Sequence, residues 1–172
     1  LAAGRLTDVK RFDLLIEQFA HIHERKPEWK LRILGDGEDR AKLEEQIAKL
    51  GAENYITLTG RKNGDEVESE MLSASIFAMS SRSEGFPFVL MEAQSCGLPV
   101  IAYDVRVGPG AVVHDGEDGV LVPEGERQQY EDKLCELMDK PELREKMSAN
   151  ATAAIREFSE EKVAEKWYEV IE

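Results

Sequence analysis

Short apolar segments alternate with amphipathic ones along most of this 172-residue chain. Turn residues such as Gly, Asp and Asn separate them, a pattern typical of strands that are each followed by a helix. The apolar segments are too short and too apolar to be half-exposed strands, so the alternation predicts a parallel sheet with helices on both faces. We therefore expect an α/β domain with a doubly wound parallel sheet of about six strands. The strands are predicted at residues 1–3, 30–34, 55–58, 75–79, 99–102 and 120–122.

The predicted helices carry their apolar side chains on one face. In the first helix, Phe12, Leu15, Phe19 and Ile22 recur at intervals of three and four residues, which gives one apolar stripe. Three helices are expected to end the chain, at about 127–138, 141–155 and 160–171.

The net charge of −13 limits the ligands that the chain can bind. Nucleic-acid polymers are attracted by basic surfaces, so we expect none as a partner, and a smaller anion would need a few local positive groups. Cys96 and Cys135 both fall in predicted helices, which is typical of reduced thiols in a cytoplasmic protein. Neither these cysteines nor the histidines show metal-ligand spacing, so no metal site is predicted.

The length of the chain fits one domain. No apolar run approaches the roughly 20 residues that cross a bilayer, and no signal peptide is recognisable. The first residue is Leu1, which already lies in an apolar Leu-Ala-Ala run, so we expect the sequence to be part of a longer protein.

The most informative stretch is residues 79–104, which predicts a strand, a polar turn, a helix and a second strand. The helix is expected to begin at Pro87, which suits a first helical position, and to close near Gly97. Phe86, just before it, offers no side-chain oxygen to the N–H groups of Phe88 and Val89. A helix start without a cap, placed after a parallel strand, can serve as a site for a phosphate.

Two carboxylates flank this predicted helix start. Glu84 precedes it and Glu92 lies in the helix, eight residues further on. They would repel a bare phosphate, and they suit a ligand with hydroxyls on both sides of its phosphates, as in a nucleotide sugar. Glu92 lies among apolar neighbours in a helix that should be largely covered, so its carboxylate is expected to need a partner.

Arg5 and Lys10 are five residues apart in the turn after the first strand. A guanidinium offers a forked pair of donors and an ammonium a point charge, which together suit a diphosphate, although a solvated basic turn has the same pattern. The carboxyl ends of parallel strands meet at one edge of the sheet, where ligands of such sheets bind. Residues of the first four such turns are therefore expected to converge there: Arg5, Lys10, Gly35, Gly37, Arg61, Lys62, Glu84 and Gly85.

Two common nucleotide-binding motifs are not completed. Gly35-Asp36-Gly37 follows a predicted strand, but Arg40 stands where the third glycine of Gly-x-Gly-x-x-Gly would be, so a nicotinamide dehydrogenase is not supported. No Gly-x4-Gly-Lys-Ser/Thr loop is present, which argues against a P-loop ATPase.

Several motifs together resemble the retaining glycosyltransferases of family 4, also called glycosyl transferases group 1. They are Gly4-Arg5-Leu6-x3-Lys10-x-Phe12-Asp13, Gly35-Asp36-Gly37, Ser83-Glu84-Gly85-Phe86-Pro87, Glu92-Ala93, Gly97-Leu98-Pro99-Val100 and Asp118-Gly119-x2-Val122-Pro123. The resemblance covers nearly the whole chain, and its most specific element is the pair of glutamates eight residues apart. It implies the Rossmann-like, donor-binding C-terminal half of the two-domain GT-B fold, spanning residues 1–172. An N-terminal acceptor domain would then be missing, and the helix at about 160–171, with Trp167 and Tyr168, would pack on it.

The resemblance also implies roles for individual residues. Glu84 would contact the donor sugar and Glu92 the ribose, while Arg5 and Lys10 would hold the diphosphate. Backbone N–H groups of Gly85, Phe86 and Phe88, in the turn that contains Pro87, would support sugar and phosphate. Arg61 and Lys62 resemble a loop that contacts the base, and Gly35 and Gly37 border the same site. Glu84, Arg5 and Lys10 are the expected catalytic residues.

Two positions depart from the family pattern. Arg11 stands where a glycine is usual after the lysine, which would change how the following helix starts. Gly110 and Ala111 stand where the family often has a glutamate nearby, so contacts from that turn are not carried over.

The function implied is transfer of a hexose from a nucleotide diphosphate sugar, with UDP as the default, to a glycan or lipid-linked acceptor, as in polysaccharide or lipopolysaccharide biosynthesis. No metal or other cofactor would be required, and this chain alone would be inactive. A cytoplasmic location is expected, with any membrane association, at the inner face of the cell membrane, made by the missing domain. The alternatives are a nucleotide-sugar epimerase of the same architecture and a non-catalytic nucleotide-sugar-binding module.

Overall fold

The structure is a computed structural model, which describes residues 1–159 together with Lys162, Ala164 and Trp167. The strands are β1 (Ala2–Ala3), β2 (Leu31–Leu34), β3 (Ile56–Gly60), β4 (Phe77–Met79), β5 (Val100–Asp104) and β6 (Gly119–Pro123). The helices are α1 (Phe12–Arg25), α2 (Arg40–Lys49), α3 (Gly64–Ser73), α4 (Phe88–Ser95), α5 (Arg127–Asp139) and α6 (Pro141–Ala154). Most of the helix predicted at about 160–171, including Tyr168, lies outside the described residues, whereas Trp167 is helical and exposed.

All six strands of the described region are parallel, as predicted, and they fall into two hydrogen-bonded sheets of three. One has the order β1-β2-β3 and the other β4-β5-β6. The sheets meet at Leu1, whose backbone N–H donates to Ile76 and whose carbonyl accepts from Ala78, both at 2.8 Å. Because β1 is only two residues long, this junction is short. It places β4 beside β1, so the strand order reverses there, at the point where open α/β sheets bind their ligands.

Helices cover both faces of the strands. The predicted stripe of Phe12, Leu15, Phe19 and Ile22 on α1 is buried, and it shares one core with α2 and α5. A second core on the other face contains Met71 of α3 and apolar residues of α4. Burial on both faces explains why β4 and most of β5 are apolar without alternation. The edge strand β3 instead alternates Ile56 and Leu58 with Thr57 and Thr59, of which Thr57 is exposed. None of the described helices is long and apolar enough to cross a bilayer.

Candidate functional site

The turn after β1 is bound to the loop after β4 at the point where the strand order reverses. The hydroxyl of the buried Ser80 donates to the carbonyl of Lys10 at 2.9 Å, and the backbone N–H of Arg82 donates to the carbonyl of Val9 at 3.0 Å. The Arg82 guanidinium also pairs with Asp8 at 2.5 Å. These contacts make one unit of two loops that lie some seventy residues apart in sequence.

Lys10 and Glu84 form an ion pair inside this unit, with 2.6 Å between Nζ and Oε1. Their side chains are only 21% and 10% exposed. The lysine stem passes over Gly4, where a Cβ would lie 3.3 Å from Cε. Behind the glutamate, a Cβ on Gly108 would lie 2.7 Å from the Glu84 Cβ. The sequence places both residues in one site but does not predict their pairing.

Arg5 leaves the same turn in a different environment. Its side chain is 75% exposed, and its Nη2 lies 3.8 Å from the carboxylate of Glu38, which is 69% exposed. The predicted cation pair is therefore split into one group that is held in place and one that lies in solvent.

Gly35 and Gly37 allow the turn after β2 to pack directly on the turn after β1. A Cβ on Gly35 would lie 1.9 Å from the carbonyl oxygen of Gly4, and one on Gly37 would lie 2.4 Å from that of Leu6. A hydrogen bond of 3.0 Å from the N–H of Leu6 to the carbonyl of Asp36 closes the contact. In this structure the two glycines support the backbone that carries Arg5.

The start of α4 differs from the prediction. The helix begins at Phe88, and Pro87 precedes it with φ −85° and ψ 66°, the geometry of an inverse γ-turn. As such a turn requires, the N–H of Phe88 donates to the carbonyl of Phe86 at 3.0 Å. The predictions that Pro87 opens the helix and that the Phe88 N–H lacks a partner are therefore wrong, because the proline turns the chain back on itself.

Glu92 is exposed, so the prediction that its carboxylate is covered is also wrong. Helix α4 buries Leu90, Ala93 and Gln94, and with about 3.6 residues per turn Glu92 points away from that face. It lines a cleft of about 420 Å³ together with Lys62 and the apolar side chains of α3. Arg61 is exposed beside this cleft and does not line it. The structure thus brings Lys62 and Glu92 to the same opening.

Phe86 and Phe88 are an exposed aromatic pair at the edge of the loop after β4, 41% and 66% exposed. Their rings meet edge to face at 5.0 Å between centroids, and Phe158 approaches Phe86 in the same way at 6.3 Å. The sequence predicts a role for the backbone N–H groups of this turn. The structure shows in addition that the two rings form an exposed apolar surface on the loop. Gly85, between this pair and Glu84, is exposed and has open space around it.

A buried carboxylate secures the other side of α4. Asp118 accepts a 3.2 Å hydrogen bond from Gln94 of α4, and its second oxygen lies 2.6 Å from Nδ1 of His114. This contact raises the pKa of His114 above its ordinary value. Asp118 belongs to the Asp-Gly motif singled out in the sequence, and here it holds the helix that carries Glu92.

The described residues contain no group of three or more His, Cys, Asp or Glu placed to hold a metal ion. Cys96 and Cys135 are not bonded to each other, and burial raises the pKa of both thiols. The charged groups of the site are the cations Lys10 and Arg5, which can bind an anion, and carboxylates that can accept hydrogen bonds from hydroxyls.

Comparison with known proteins identifies the family of the chain. Residues 1–154 match the family Glycosyl transferases group 1. The amylovoran biosynthesis glycosyltransferase AmsD of Erwinia amylovora is 33% identical over 171 residues, which are 99% of this chain and 47% of AmsD. The pneumococcal O-GlcNAc transferase GtfA, solved with UDP and GlcNAc, is 32% identical, with a TM-score of 0.88 over 99% of this chain and 34% of GtfA.

A third match is an isolated domain. The crystal structure of the C-terminal domain of the glycosyl transferase group 1 protein LpcC from Francisella tularensis is 25% identical, with a TM-score of 0.81 over 90% of this chain and 83% of that one. The chain therefore spans about half or less of the length of AmsD and GtfA and most of a separately crystallised domain. Its α/β fold matches the C-terminal domains of GT-B glycosyltransferases, and by sequence and fold the chain belongs to the glycosyl transferases group 1 family.

Proposed function

We propose that this chain is the donor-binding domain of a retaining glycosyltransferase of family 4. The whole protein would transfer a hexose from a nucleotide diphosphate sugar, with UDP as the first candidate nucleotide, to a glycan or lipid-linked acceptor in polysaccharide or lipopolysaccharide synthesis. The observation that carries the proposal is the Lys10–Glu84 pair at the reversal of strand order, in a chain of this family. The UDP in the GtfA structure supports the choice of nucleotide.

The roles follow from the chemistry of each group. Lys10 and Arg5 bind the diphosphate and stabilise the negative charge that grows on it as the sugar departs, which lowers the barrier without a metal ion. Glu84 accepts hydrogen bonds from the sugar hydroxyls and thereby orients the reacting carbon. Backbone N–H groups of the Gly85–Phe86 turn assist at the phosphate; that of Phe88 is already engaged.

The nucleoside lies in the 420 Å³ cleft. Glu92 accepts hydrogen bonds from the ribose hydroxyls, and Lys62 and Arg61 lie near the base. Val67 and Met71 of α3 supply an apolar wall for the base in the same cleft. The acceptor binds to a part of the protein outside this chain, so transfer requires the complete enzyme.

Isothermal titration calorimetry with UDP, GDP and ADP, each alone and with its sugar, tests the binding half of the proposal on this chain. One nucleotide series is expected to bind, and Glu92→Gln is expected to weaken it because a neutral oxygen replaces the charged acceptor of the ribose hydroxyls. Absence of binding in all three series would contradict the proposal.

The complete enzyme separates the alternatives. Incubated with labelled donor and no acceptor, an epimerase would convert one nucleotide sugar into another. A binding module would leave the donor unchanged even with acceptor present. Transfer of label to acceptor with the anomeric configuration retained, measured by NMR, is the expected result.

A further inference from the structure

Lys10 is already neutralised by a carboxylate in the site where it is proposed to bind a diphosphate. We infer that the Lys10–Glu84 pair makes the site selective for diphosphates that carry a sugar over bare diphosphates, including the nucleotide diphosphate product. The inference rests on the proposed function, because it concerns the same site.

The pair is constrained on both sides. The stem of Lys10 packs over Gly4, and the backbone of Gly108 touches Glu84 from behind. Ser80 fixes the carbonyl of Lys10 through its 2.9 Å hydrogen bond. Both side chains are therefore largely enclosed by the two loops.

A bare diphosphate gains little at such a pair. To reach Lys10 it must either displace the glutamate or settle beside a negative carboxylate, and in both cases the partly buried like charge weakens binding. A sugar on the diphosphate changes this balance. When the phosphate binds Lys10, Glu84 loses its ion pair, and the sugar hydroxyls then donate hydrogen bonds to the Glu84 carboxylate in its place.

Arg5 and Glu38 provide the contrast that makes the inference testable. They too form a cation–carboxylate pair in the same turn region, but both side chains lie mostly in water, and they are 3.8 Å apart. Removing the charge of Glu38 changes the net charge of the chain by one unit, as does removing the charge of Glu84. Only the Glu84 change removes the largely buried carboxylate that pairs with Lys10.

The experiment compares the 172-residue chain with its Glu84→Gln and Glu38→Gln variants, titrated by calorimetry with UDP, UDP-glucose and inorganic pyrophosphate. Glutamine keeps the shape of glutamate and an oxygen that can accept from Lys10, so the fold is expected to persist, and thermal unfolding checks it. We expect Glu84→Gln to bind UDP and pyrophosphate about tenfold more tightly than the unmodified chain and to lose affinity for UDP-glucose relative to UDP. Glu38→Gln should change the affinity for UDP less than about twofold, because exposed pairs are screened.

Unchanged or weaker binding of UDP and pyrophosphate by Glu84→Gln would overturn the inference, and so would an equal gain in Glu38→Gln. The proposed function fails in a different way. If no chain binds a nucleotide diphosphate more tightly than pyrophosphate, the nucleotide assignment is lost, while the pyrophosphate titrations still decide whether the pair excludes a bare diphosphate.

Discussion

Lys10 and Arg5 leave the same turn after β1, yet their surroundings are opposite. Lys10 meets Glu84 at 2.6 Å with both side chains largely buried, whereas Arg5 meets Glu38 at 3.8 Å with both side chains mostly in solvent. The first pair joins loops that are 74 residues apart in sequence. The second spans two neighbouring turns that the backbone already holds together.

The difference shows that one turn can carry both a fixed cation and a mobile one. A largely buried pair is costly to break from one side, since the remaining charge is poorly solvated. An exposed pair contributes little to stability, and its long side chain can change partner at small cost. Under the proposed function, Lys10 would fix the position of the phosphate, and Arg5 would close on it after it arrives.

The largest expected effect is on turnover of the complete enzyme. Lys10→Ala should lower kcat by about 100-fold or more, because the leaving diphosphate loses its fixed positive partner. Arg5→Ala should lower it in the same direction, by at least about tenfold. Steady-state rates with labelled donor measure both, and near-normal rates in both variants would contradict the assignment of the leaving-group site.

The free energy of unfolding should depend much more on Lys10 than on Arg5. Lys10→Met leaves Glu84 without its partner and should lower the free energy of unfolding by about 1–3 kcal/mol. Arg5→Met removes an exposed contact and should change it by less than about 0.5 kcal/mol. Urea unfolding of this chain measures both, and equal losses would remove the distinction between the pairs.

Arg11 and Asp13 form a third pair, half-exposed at 3.1 Å, whose backbone matters more than its charge. Arg11 is the only described non-glycine residue with positive φ, at 50°, in the left-handed region that disfavours a Cβ. Arg11→Gly and Arg11→Ala both remove the ion pair, so their difference isolates the backbone. The glycine variant should be more stable than the alanine variant by about 1 kcal/mol in thermal or urea unfolding. The opposite order would show that chain entropy outweighs the strain.

The smallest effect is expected at His114 and Asp118, where one partner is buried and the other is exposed. The folded-state pKa of His114 is raised above its ordinary value of 6.5 by the hydrogen bond to Asp118. The contact therefore contributes fully below that value, and its contribution is lost as pH rises through the folded-state pKa. Because the imidazole is 63% exposed, the loss should stay below about 0.5 kcal/mol. The free energy of unfolding, measured from pH 5.5 to 8.5, should therefore decline slightly with rising pH. The His114→Gln variant should lack this decline.

Periodicity and turn chemistry predicted most of the fold. The spacing of Phe12, Leu15, Phe19 and Ile22 identified the buried face of α1, and the apolar segments identified all six described strands to within a few residues. These features are local, since a helix or strand repeats its pattern within one or two turns. The division into two sheets was not predicted, because it depends on the two-residue length of β1.

Around the site, the expectations from sequence fail where neighbours in sequence are not neighbours in space. Glu92 lies between apolar residues in the chain, but on α4 they face the core and it faces water. Pro87 carries the signal of a first helical residue, yet its ψ of 66° makes a turn before the helix. A weak signal for the role of Gly108 was available, since glycine before proline marks a turn.

Sequence alone determined the α/β class, the order of the elements and the identity of the charged residues that the turns carry to one edge of the sheet. Those properties depend on short-range periodicity and on the rule that parallel strands end on the same side. Only the tertiary structure decided which cation meets which carboxylate. The distance between Lys10 and Glu84 depends on the packing of two loops on glycine-lined backbone, and burial, which separates this pair from Arg5 and Glu38, is a property of that packing.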